Sequence, residues 1–131
     1  MRVVLDTNVL VSGIINPYGK PARILNLLLA GKITALYDNR MIREYQEVLS
    51  RGRFGFPPEW IRPLMDYIKM EGEFVLAEPL EDKMKDASDR KFLEVAVSGK
   101  ADYLITGNKR DFPRQRWIVD PAEFLRAFLK S

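Results

Sequence analysis

The chain has 131 residues, 47% of them apolar, with 21 Lys and Arg against 18 Asp and Glu for a net charge of +3, which is the make-up of one ordinary globular domain. It contains no Cys and no His, which excludes a disulfide framework, thiolate catalysis, Ser-His-Asp chemistry and the common zinc sites. Any catalysis must therefore run on carboxylates, hydroxyls, Lys or a hard metal ion. No apolar run reaches a membrane span and Asp6 interrupts the N-terminal apolar segment, so the expectation is a single-domain cytoplasmic protein without signal peptide or membrane contact.

In chain order, Arg2 to Leu5 reads as a buried strand that ends on Asp6. Thr7 to Ile15 reads as a short helix, and residues 16–20 as a loop marked by Asn-Pro and Gly. A helix with Pro21 at its start runs to Ala30 and stops at Gly31. Ile33 to Tyr37 is a second strand, and Asp38-Asn39 caps a helix over residues 40–50. Residues 51–58 form a loop, and Glu59 to Met70 carries an apolar helical face. A third strand is expected over residues 74–77, a charged connector over 78–85, and a helix from Asp86 to about Ser98. A fourth strand lies within residues 101–106, a loop spans 107–116, and residues 117–119 form a short fifth strand. Asp120-Pro121-Ala122-Glu123 then starts a last helix with a cap, a first-position proline and an acid three residues on.

Strands alternating with helices predict an α/β fold, a three-layer α/β/α sandwich around a mostly parallel sheet of about five strands. In such a sheet the carboxyl ends of the strands share one edge, where ligands bind. Asp6 and the Thr106-Gly107-Asn108 turn meet there if strands one and four are neighbours.

Each acid has a structural use beside a chemical one. Glu44 falls about 40° outside the apolar stripe of its helix, at about 100° per residue, as a border glutamate would. Asp86 and Asp89 have the spacing of a helix cap and a first-turn acid. Asp6, at the end of a buried strand, has only side-chain capping as a cheap structural use, and Thr7 or Asn8 could cap as well.

Four stretches together resemble the motifs of the PIN domain: residues 5–10, Glu44 with Val48-Leu49, Asp86-Ala87-Ser88-Asp89 with residues 90–96, and residues 100–112 containing Thr106-Gly107-Asn108. The similarity is closest to the small prokaryotic branch that includes VapC-like toxin components of toxin–antitoxin pairs. What the resemblance implies is a ribonuclease dependent on Mg²⁺ or Mn²⁺. By position, Asp6, Glu44 and Asp89 match the first three family acids, and Asn108 stands where the fourth acid is expected. Those four are the implied catalytic and metal-holding set. Asp111, three residues on, is a substitute ligand if the loop curls back. Thr7 and Asn8 would orient Asp6 or a bound water. Arg51 and Arg53 with Phe54 and Phe56 form a basic aromatic loop suited to RNA, and Lys109, Arg110, Arg114 and Arg116, beside the expected active edge, are slightly better phosphate candidates. A homodimer and a small antitoxin protein are the implied partners. The competing readings are a PIN-like RNA-binding module that has lost catalysis, motivated by Asn108, and a phosphatase with Asp6 as nucleophile, which would want an acid where Asn8 stands.

Overall fold

A computed structural model describes residues 1–82 and 84–131. The charged connector expected over residues 78–85 therefore includes one position, Lys83, outside the described residues. The strands are β1 (Arg2–Leu5), β2 (Thr34–Tyr37), β3 (Glu73–Phe74), β4 (Tyr103–Ile105) and β5 (Ile118–Val119). The helices are α1 (Thr7–Ile15), α2 (Lys20–Leu29), α3 (Asn39–Leu49), α4 (Pro58–Glu71), α5 (Arg90–Ser98) and α6 (Pro121–Lys130).

The five strands form one sheet in the order β3-β2-β1-β4-β5, and every pairing is parallel. Parallel strands need crossovers, which α-helices supply between β1 and β4 and the loop of residues 106–117 supplies between β4 and β5. β1 runs down the middle with Val3, Val4 and Leu5 fully buried, as its β-branched apolar run requires of a strand covered on both faces. Helix ends follow local chemistry: Asp38 accepts from the Met41 amide at 3.0 Å, and Asp120 and Glu123 form a reciprocal capping box.

Two expectations shift. β3 covers Glu73–Phe74 rather than residues 74–77; it is an edge strand paired only with β2, and the chain leaves the sheet at Val75, whose amide still reaches the Tyr37 carbonyl at 2.8 Å. Leu76, expected within the strand, is 86% exposed, because an edge lets the chain depart once its one neighbour ends. The helix expected from Asp86 starts at Arg90, after a 3₁₀ turn over Ala87–Asp89 that Asp86 caps through the Ser88 amide. A second 3₁₀ turn, Lys109–Asp111, interrupts the loop expected over residues 107–116.

Candidate active site

The site forms at the carboxyl edge where β1 and β4 lie side by side. β1 delivers Asp6, whose amide bonds the Ile105 carbonyl at 3.0 Å, so the backbone is satisfied and the side chain alone is left to explain. That side chain makes no cap on α1. Its Oδ2 instead accepts from the Thr106 hydroxyl at 2.8 Å and, more weakly, from the Asn8 amide at 3.4 Å. Asp6 is 6% exposed and no cation pairs with it among the described residues. Burial pushes its pKa up to about 6 against the pull of Thr106 and of the Thr7 and Asn8 amides, and the Glu44 charge adds to the rise.

Thr106, fully buried, also accepts from the Asn108 amide at 3.0 Å, and Asn8 accepts from the Gly107 amide at 3.0 Å. The first contact folds the turn after β4 on itself, and the second clamps that turn against the start of α1. Asn108 is thereby held at the site's rim, and its side-chain amide donates to Asp111 at 2.9 Å. The 3₁₀ turn is what returns Asp111 to the Asn108 side chain.

Glu44 comes from α3. The buried Tyr45 hydroxyl donates to the Leu5 carbonyl, tying α3 to the end of β1, and burial lifts its pKa well above the ordinary value so that it stays a neutral donor. The neighbouring Glu44 is half-buried, as its border position predicts, and accepts from the Thr7 hydroxyl. Its other oxygen pairs with Lys91 Nζ at 2.6 Å. Lys91, only 12% exposed, also donates to the Ser88 carbonyl and lies 5.1 Å from the Phe92 ring centre. Asp89 is the last residue of the 3₁₀ turn and caps nothing with its side chain. Burial raises its pKa to about 6, followed by the charges of Asp6, Asp86, Asp111 and Glu44. Asp6, Glu44 and Asp111 thus all lie within electrostatic reach of Asp89.

The sequence brings the Thr106-Gly107-Asn108 turn to Asp6 but assigns the Thr106 hydroxyl no role, and it leaves Lys91 unassigned because a lysine in a first helical turn reads as a solvated charge. The basic residues divide. Arg51 pairs with Glu47 at 3.0 Å and Arg53 stacks on Phe54 at 4.9 Å, so the loop's cations are engaged locally. Lys109 pairs with Glu123 at 2.7 Å. Arg116 faces a different concavity, beside Met1, Asp102 and Ser131.

The donor set is all oxygen, which suits a hard cation. No three acidic side chains among the described residues converge closely enough to enclose an ion by themselves. Mg²⁺ is commonly held by one or two carboxylates with water completing its shell, and a buried, cation-free Asp6 beside a repelled Asp89 fits that mode.

A PIN-domain family model matches residues 2–110, from the start of β1 through the 3₁₀ turn after β4. The chain is also similar to an uncharacterized protein of Methanocaldococcus jannaschii, 32% identical over 112 residues that cover 83% of this chain and 72% of that protein. No solved structure matches it. With the family match spanning Asp6, Glu44, Asp89 and Asn108, the chain belongs to the PIN-domain family, whose members are generally nucleases that use divalent metal ions.

Proposed function

We propose that this protein is an endoribonuclease dependent on Mg²⁺ or Mn²⁺. The observation that carries the reading is Asp6: a carboxylate 6% exposed, held by a hydroxyl and an amide rather than a cation, within the field of Glu44 and Asp89. Such a group is costly in the fold and useful only when something positive sits against it. Asp6 and Asp89 would hold the ion, with Glu44, Asn108 and Asp111 around them. When bound, it supplies Lewis-acid stabilisation of charge on the scissile phosphate and a lowered pKa for the attacking water.

The chain's own residues do the rest. Thr106 and Asn8 fix the rotamer of Asp6. Thr7 fixes one oxygen of Glu44 while Lys91 holds the other. The Asn108 amide, as a neutral donor bonded to Asp111, lowers the negative charge on the side from which a phosphate approaches. A role as the toxin of a toxin–antitoxin pair, acting as a homodimer and silenced by a small antitoxin in the cytoplasm, extends the same reading through family likeness.

The test is cleavage of a labelled mixed-sequence single-stranded RNA with Mn²⁺, with Mg²⁺ and with EDTA, with Asp6→Asn beside the wild type. Metal-dependent cutting that drops by about a hundredfold or more in the variant is expected. Binding without cutting, unaffected by Asp6→Asn, would establish the binding-module reading instead.

A further inference from the structure

Lys85, Lys109, Arg110, Phe112 and Arg114 line a concavity of about 420 Å³ to which no acidic residue contributes. Among the described residues, Lys85, Arg110 and Arg114 take part in no salt bridge. The remaining cation, Lys109, is already neutralised by Glu123. Like charges gathered in one hollow repel, and among the described residues no acid pairs with Lys85, Arg110 or Arg114 to offset it.

Its place in the chain is as informative as its charge. Lys85 immediately precedes the segment that bears Asp86 and Asp89, and Lys109 and Arg110 lie between Asn108 and Asp111 in the second 3₁₀ turn. Lys85, Lys109 and Arg110 therefore come from the same two segments that carry Asp89 and Asp111, and Arg114 follows three residues after Asp111. Two of them are arginines, whose planar forks grip phosphate oxygens in pairs.

We propose that this pocket is a phosphate-binding subsite for the RNA backbone adjoining the scissile bond, with Arg110 and Arg114 as its principal contacts. The proposal rests on the nuclease reading above. It develops the phosphate-binding role that the sequence suggests for Lys109, Arg110 and Arg114, in preference to the Arg51–Arg53 loop, whose cations are engaged by Glu47 and Phe54.

The test measures binding of a labelled mixed-sequence single-stranded RNA in EDTA, where no cutting occurs, across a salt series. Arg110→Ala/Arg114→Ala should weaken binding by about tenfold and lower the log–log salt slope by about 1.4, the counterion release expected for two lost contacts to a single strand. Arg126→Ala/Lys130→Ala on α6 removes the same net charge from exposed positions elsewhere and should leave affinity nearly unchanged. Equal losses in both pairs, or no loss in the first, would overturn the subsite. Cleavage by the wild type with Mn²⁺ keeps the outcomes apart: a wild type that cuts while the first pair binds normally sinks the pocket alone, and a wild type that cuts nothing sinks the nuclease reading.

Discussion

Lys91 and Asp6 answer the same electrostatic problem in opposite ways. Glu44 has a built-in counter-cation at 2.6 Å, whereas Asp6 has a hydroxyl and an amide. Lys91→Met removes the cation and leaves a half-buried Glu44 facing the other acids. The metal-free protein should lose about 1 to 2 kcal/mol of stability, the usual cost of stranding a charge-assisted hydrogen bond. The same change takes away the positive charge that competes with an ion for the Glu44 oxygen, so Mn²⁺ should bind more tightly. Thermal melts without metal and calorimetric titration with Mn²⁺ check the pair of signs. Unchanged melting, or weaker Mn²⁺ binding, would mean that Lys91 is a surface charge that happens to lie near Glu44.

At the scale of elements, the junction of α3, α5 and the connector after β3 depends on one buried acid. Glu94, 5% exposed on α5, accepts from Arg40 at 2.8 Å and from the Leu80 amide at 2.8 Å, while Arg40 also pairs with Asp38, the cap of α3. Burial works to raise the Glu94 pKa, but the Arg40 guanidinium and the Leu80 N–H outweigh it and hold the group below its ordinary range. Glu94→Ala leaves the Leu80 amide without its acceptor and Arg40 with one partner. About 2 kcal/mol of destabilisation is expected, together with faster hydrogen exchange at the Leu80 amide. Normal exchange there would show that the connector is held by other contacts. Elements governed by local chemistry were legible in the sequence: the β1 run, the Asp38 cap, the Asp120 capping box. The two that shifted, β3 and the start of α5, are governed by the edge of a sheet and by a side chain turned back onto Ser88. The site divides along the same line. Asp6, Glu44, Asp89 and Asn108 stand out by residue type and order, but Thr106 and Lys91 act through partners distant in sequence or through burial that spacing alone does not reveal.

For the whole molecule, the strand order concentrates acids at one edge of the sheet, and that makes stability a function of pH. The Asp6 pKa rises from its ordinary 3.8 to about 6, with burial as the leading cause. An acid whose pKa is higher in the folded than in the unfolded state binds its proton more tightly when folded. Its contribution is fully present below pH 3.8 and is lost as pH rises through about 6. For a shift of this size the loss is about 3 kcal/mol; Asp89, which is more exposed, adds a smaller loss of the same sign. Glu94, Asp86 and Glu123 have lowered pKa values and work the other way: their contribution is fully present above the unfolded carboxylate range and is lost as pH falls below it. Subtracting one protein from another isolates Asp6. In the absence of metal, Asp6→Asn should gain on the wild type between pH 4 and pH 7, by up to about 3 kcal/mol in denaturant melts. Mn²⁺ should stabilise the wild type increasingly over that same interval, because the ion binds only the deprotonated carboxylate, and should stabilise Asp6→Asn far less. A difference between the two proteins that does not vary with pH would mean that the Asp6 carboxyl titrates as it does in the unfolded chain, and the electrostatic case for a cation at the end of β1 would fall with it.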